Sequence, residues 1–184
     1  MEIQVLQWVN ENLHSSDFIN HLFRYITFIG GFVWLIVAVV FLFFKSTRRA
    51  GVMLIIGFSA SLIIGHYILK SIIKVPRPFE IDSSLISFLN YMHIAPPDSG
   101  SFPSLHATTA FCCAIILAHY FKNGWWFFIP AIIISLSRIF LCLHYPCDIL
   151  GGMFLGSIVG LFTIYFAKLY KKHAKKDCFN HEKK

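Results

Sequence analysis

Residues 137–150 read "SRIFLCLHYPCDIL". One apolar run, approximately 126–143, ends just before His144, and Pro146 then opens another over 147–167. Each is close to the roughly 20 largely apolar residues that a membrane-spanning helix needs, so the stretch reads as a junction between two spans. It nevertheless keeps Arg138, His144 and Asp148 close to apolar surroundings, and a charge near the bilayer centre costs about 2.5–3.5 kcal/mol on insertion scales. Ionisable residues kept at such a cost are candidates for function.

Working outward, three further segments meet the same test, at approximately 25–44, 51–73 and 104–121. With 57% hydrophobic and 14% charged residues among 184, and a mean hydropathy of +0.66, the chain is too apolar for an ordinary water-soluble domain of this size. The expected fold is all-α: a polytopic transmembrane bundle of about five spanning helices, with residues 1–184 forming a single domain. Ahead of the spans, Ile3, Leu6, Trp8, Val9 and Leu13 recur at roughly helical spacing, which predicts a short interfacial helix. The first twenty residues lack a basic leader and an unbroken apolar run, so the start is expected to be kept rather than cleaved.

The formal net charge is +7, but the basic residues lie in short segments between apolar runs, a membrane-orientation pattern rather than a nucleic-acid footprint. Lys45, Arg48 and Arg49 follow the first span, Lys122 lies between the third and fourth, and Lys168, Lys171, Lys172, Lys175 and Lys176 follow the fifth. All fall on one side, which predicts a multi-pass cell-membrane protein with that side and the C-terminus cytoplasmic. The exceptions are Arg24, Lys70, Lys74, Arg77 and Arg138. The one long connection, about 76–102, has an apolar middle, "LISFLNYM", expected to lie on the bilayer surface. Five cysteines, mostly inside apolar segments, imply no disulfide framework. Gly152, Gly156 and Gly160 recur on one face of the last span and predict close helix contact within the bundle.

The exceptional charges converge on paper. Lys70 and Arg77 are seven apart, two helical turns, with Pro76 expected to end the helix just before Arg77. "FPSLHA" opens the third span: Pro103 suits a first helical turn, Ser104 offers a hydroxyl beside free N–H groups, and His106 follows one turn in. Arg138, His144 and Asp148 arrive from the fourth and fifth spans at the same outer face. Three cations, a helix N-terminus, a hydroxyl, two histidines and a carboxylate suit phosphoryl transfer without a metal, in which positioned cations stabilise the equatorial oxygens. His144 beside Asp148 fits the attacking role and His106 the acid.

These residues resemble the signature of the type 2 phosphatidic acid phosphatase family: Lys70-x6-Arg77-Pro78, Pro103-Ser104-Leu105-His106 and Ser137-Arg138-x5-His144-x3-Asp148, within 70–148. The resemblance implies a helical membrane enzyme that removes phosphate from a lipid through a phosphohistidine, with no metal or other cofactor. It implies Lys70, Arg77, Ser104 and Arg138 as the phosphate-binding set, His106 as acid, His144 as nucleophile and Asp148 as its partner. Its partners would be a lipid phosphate and the surrounding membrane lipids, with no nucleic acid. Undecaprenyl pyrophosphate is the first-choice substrate, ahead of phosphatidylglycerol phosphate, phosphatidic acid and lipid A, and an extracytoplasmic site is expected. Leu105 departs from the family's usual glycine and adds bulk beside the phosphate, a variant shared by lipid phosphotransferases.

Competing readings are a zinc site from Cys142, His144, Cys147 and Asp148, opposed by the nearly opposite directions of Cys142 and His144, and a transporter or proton relay, opposed by the lack of broken-helix repeats. His66, one turn below Lys70, is expected to be a packed, hydrogen-bonded histidine, and His119 structural. Lys74 either attracts anionic head groups or snorkels, and Arg24 is expected to meet lipid phosphates or water.

Overall fold

The computed structural model describes residues 2–181, with side chains as far as His173; the side chains of Lys175, Lys176 and Cys178 lie outside the described residues. Along the chain run α1 (Glu2–Asn12), α2 (Asp17–Phe43) and α3 (Arg48–Leu62), the last continuing through a π-helical stretch, Ile63–Leu69, into the short α4 (Lys70–Ile73). Then come α5 (Pro78–Ile81), α6 (Ser83–Tyr91), α7 (Leu105–Tyr120), a 3₁₀ turn (Gly124–Phe127), α8 (Phe128–Phe140) and α9 (Pro146–His181). Among the described residues there is no strand, and the fold is all-α.

By length and composition, Asp17–Phe43, Arg48–Ile81 and Pro146–His173 can each cross a bilayer, whereas Leu105–Tyr120 and Gly124–Phe140 are shorter apolar helices. The shortness of α7 follows from its place. It is apolar on all sides, with Ala107, Ala110, Cys113, Ala114 and Leu117 fully buried, and it packs against α2, α3, α8 and α9. A helix enclosed by others is solvated by protein rather than lipid. The outer helices turn Phe28, Ile36, Phe154 and Phe166 outward, an apolar surface that lipid solvates and water would not.

The glycine stripe of α9 faces α7. A Cβ on Gly152 would stand 2.5 Å from the Ser104 carbonyl oxygen, one on Gly160 would stand 3.0 Å from that of Cys112, and one on Gly156 would collide with the Thr108 carbonyl. Backbone cannot swing aside as a flexible side chain does, so Gly156→Ala is expected to destabilise the bundle by about 1–3 kcal/mol. A lowered thermal midpoint in detergent, with the lipid-facing control Leu150→Ala near wild type, would show it; equal midpoints would mean that α7 and α9 do not pack this way.

Two helix boundaries differ from expectation, those of the helices carrying Lys70 and Arg24. The helix carrying Lys70 ends at Ile73, short of Pro76, because Lys74 caps it in a left-handed conformation (φ 47°, ψ 42°). The "LISFLNYM" segment forms α6, and its Leu85, Phe88 and Leu89 pack against Leu6 and Val9 of α1 and against Phe140–Leu143. The two amphipathic pieces thus bury apolar faces against each other, while Trp8 remains exposed. Polar ties fix the pair: Gln7 Nε2 donates to Asp82 Oδ2 (2.8 Å), and the His14 ring stacks on Phe88 while its Nε2 lies 2.7 Å from the Phe140 carbonyl oxygen. Lastly, α2 begins at Asp17, which suits its first turn, and Arg24 lies on that helix with Nη2 3.5 Å from the His93 carbonyl oxygen.

Candidate active site

The ends of α4, α7, α8 and α9 meet at one end of the bundle, opposite the turns holding Lys45 and Lys122. The π-helical stretch explains how Lys70 reaches this centre. Its wider turn closes with the Lys70 N–H on the Gly65 carbonyl and alters the facing of the next residues. Lys70 is buried while Ser71, Ile72 and Ile73 are exposed.

Arg77 leaves the helical path in extended backbone (φ −83°, ψ 158°) and points inward. Its Nε donates to the Ser99 carbonyl oxygen (2.8 Å) and its Nη1 to that of Leu143 (2.9 Å), which leaves Nη1 3.4 Å from His144 Nε2. The other ring nitrogen, His144 Nδ1, lies 3.4 Å from Asp148 Oδ2. Asp148 is itself fixed: Oδ2 accepts from the Tyr145 N–H (2.8 Å) and from the Ser101 hydroxyl (2.5 Å). A proton on Nδ1 facing the carboxylate leaves the Nε2 lone pair available on the Arg77 side. Burial holds the His144 imidazole well below the ordinary histidine range, and the charges of Arg138, Arg77 and Lys70 push the same way.

Arg138, at the end of α8, donates through Nη1 to Thr27 Oγ1 of α2 (3.3 Å), and Thr27 is 2.6 Å from the Ser137 hydroxyl. Its buried Nε has no hydrogen-bond partner among the described residues. Ser104 occupies the N-cap position of α7, yet its hydroxyl makes no capping bond and is likewise buried without a partner. His106 rests on α2, its Nε2 3.3 Å from where a Cβ on Gly31 would stand, within electrostatic reach of Arg138 and His144. Leu105 turns toward the π-helical stretch, its Cδ1 3.5 Å from where a Cβ on Gly65 would stand.

The fold therefore gathers all seven residues that the spacing singled out. Among the described residues, Lys70, Arg77 and Arg138 are buried with a single buried carboxylate, Asp148. Burying unbalanced charge costs several kcal/mol per ion unless a counter-ion arrives. Two unpartnered donors beside excess positive charge describe a receptacle for an anion.

Sequence reasoning missed Ser101, Ser99 and Thr27, because isolated hydroxyls carry no spacing signal. His66 also departs from expectation: it is only half-buried, and it faces a cavity beside Lys70 rather than a packed interior. Cys142 directs its thiol to the Leu6 carbonyl oxygen (3.7 Å), away from the His144 partners, and among the described residues no three His, Cys, Asp or Glu side chains are placed to hold a metal ion.

A family model described as the PAP2 superfamily matches residues 49–172, which contain all three motif segments. An undecaprenyl-diphosphatase of Sulfolobus acidocaldarius is 30% identical over 137 residues, 72% of this chain and 63% of that protein, so the chain spans less than two thirds of that relative's length. Undecaprenyl-diphosphatase BcrC of Bacillus subtilis is 26% identical over 176 residues, 93% of this chain and 86% of that protein. The crystal structure of a transmembrane PAP2 type phosphatidylglycerolphosphate phosphatase from Bacillus subtilis has a TM-score of 0.61 at 19% identity, covering 91% of this chain and 84% of that one. At that identity the likeness is one of fold.

Proposed function

The chain belongs to the PAP2 superfamily, and from that premise we propose that it is a lipid phosphatase that removes the terminal phosphate of undecaprenyl diphosphate through a phosphohistidine on His144. The observation that carries the reading is the buried excess of cations around His144 Nε2, with the Ser104 hydroxyl and Arg138 Nε left open to a phosphate. The names of the two diphosphatase relatives support the substrate class.

In this reading Lys70, Arg77, Arg138 and Ser104 hold the three equatorial oxygens, where transition-state charge accumulates. His144 Nε2 forms a bond to the terminal phosphorus as the bridging P–O bond breaks, and His106 gives its proton to the departing oxygen. Asp148 supports the positive imidazole through Nδ1, with Ser101 fixing the carboxylate. Water then attacks the phosphohistidine, its proton passes to His106, and inorganic phosphate leaves as His144 is restored. Every step is acid–base or nucleophilic work by these side chains, in keeping with the metal-independent chemistry that the family resemblance implies.

The site is assigned to the extracytoplasmic face. Lys45, Arg48, Arg49, Lys122, Lys168, Lys171 and Lys172 mark the other end of the bundle, and such basic flanks stay in the cytoplasm.

Inorganic phosphate released by the purified protein from undecaprenyl diphosphate, phosphatidylglycerol phosphate, phosphatidic acid and lipid A tests the proposal. Release is expected from all or some, fastest from the diphosphate. Turnover only on adding an acceptor alcohol would instead make the protein a phosphotransferase. No release from any of the four, with solute flux across proteoliposomes, would make it a transporter.

A further inference from the structure

Beside the buried centre a cavity of about 440 Å³ opens outward, lined by His66, Lys70, Lys74, Glu80, Asp98 and Ser99 among others. It adjoins the centre directly, since Lys70 belongs to both and Ser99 is one of the residues that hold Arg77. Its volume falls within the roughly 300–1,000 Å³ of small-molecule sites, more than one phosphate group fills. Along the helix that carries Lys70, the adjacent cavity-lining basic residues are His66, four positions earlier, and Lys74, four later. Neither has an ion-pair partner among the described residues.

Lys74 also stands where a lysine is a poor choice for the backbone. It caps its helix at φ 47°, a left-handed conformation that glycine or asparagine adopts far more readily. Its side chain is exposed rather than packed, so burial does not account for its presence there. What the position offers is an ammonium at the cavity rim. The carboxylates facing it, Glu80 and Asp98, are exposed to solvent, where screening weakens their repulsion of an anion.

We infer that this cavity is a second phosphate subsite, in which Lys74 and His66 hold the phosphate that stays on the lipid while the terminal phosphate occupies the centre. The inference rests on the phosphatase reading above. As the bridging P–O bond breaks, its electron pair goes to the bridging oxygen, which takes the His106 proton and leaves as part of the lipid monophosphate. Lys74 stabilises the charge that this second phosphate carries. A lipid monophosphate fills the centre and leaves the subsite empty, so it forgoes these contacts.

Kinetics on farnesyl diphosphate and farnesyl monophosphate in neutral detergent test it, with Lys74→Gly as the main variant. Glycine suits the left-handed backbone, so the thermal midpoint should not fall, and loss of fold is separated from loss of charge. The kcat/KM for the diphosphate is expected to drop about tenfold, less than the roughly 10²–10³ of a buried donor because this cation is exposed, with the monophosphate changing by no more than about twofold. His66→Gln should move the same ratio in the same direction. An equal fall on both substrates would overturn the inference and make Lys74 an anchor for head groups in general, and unchanged kinetics on both would overturn it too. If the wild-type protein releases phosphate from neither compound, the phosphatase reading itself fails and takes the subsite with it.

Discussion

His144→Ala is expected to reduce phosphate release by on the order of 10⁴-fold or more, because removal of a nucleophile leaves only binding and electrostatic stabilisation. The covalent step gives the result its specificity. Wild-type protein quenched during turnover of a radiolabelled phosphate ester should carry acid-labile, base-stable label on histidine, and His144→Ala should carry none. His106→Ala should separate the two imidazoles. With an activated leaving group that needs no protonation, label should still form and then accumulate, since the residue that accepts a proton from the attacking water is gone. Label in the His144 variant, or its full activity, would assign the nucleophile elsewhere.

The second large effect runs in opposite directions for activity and stability. Arg138→Met is expected to lower kcat/KM by roughly 10³-fold, or about 4 kcal/mol, the upper end for removal of one preorganised donor from a charge-developing centre. A buried truncation ordinarily destabilises, but here the midpoint of thermal unfolding without phosphate should hold or rise. Arg138 is buried beside two other cations, and among the described residues its Nε has no hydrogen-bond partner and its side chain donates only to the Thr27 hydroxyl, at 3.3 Å. Apolar replacement of buried charge has proved neutral or stabilising by about 1–4 kcal/mol in other proteins. Added orthophosphate should raise the wild-type midpoint, by about 2.7 kcal/mol of stability at a hundredfold excess over Kd, and raise that of the variant less. A steep loss of stability in Arg138→Met would make the residue structural and the activity loss a consequence of unfolding.

Both predictions concern residues that the sequence already singled out, and the reason is local. The length of an apolar run and the cost of a charge inside it can be counted along the chain, so the bundle, the odd cations and the junction at Pro146 were legible. The spacing of His144 and Asp148, one helical turn apart, was legible for the same reason. Helix ends were less so. Pro76 was the visible stop signal, yet the chain turns at Lys74, where Gly100 packs on the Lys74 backbone, 3.4 Å from where a Cβ would stand. The π-helical turn before Lys70 leaves no mark in the hydropathy pattern.

By itself, then, the sequence determined the membrane class, the all-α fold and which ionisable groups were too costly to be incidental. Tertiary structure alone decided what those groups face. Ser101 reaches Asp148 across 47 residues and Thr27 reaches Ser137 across 110, contacts that depend on how helices are stacked rather than on any spacing within one. It also settled that the α9 glycines serve the contact with α7, and that α1 and α6 bury each other. Burial and hydrogen-bond partnership are properties of the packed arrangement, and they exist only once distant segments share the same few ångströms.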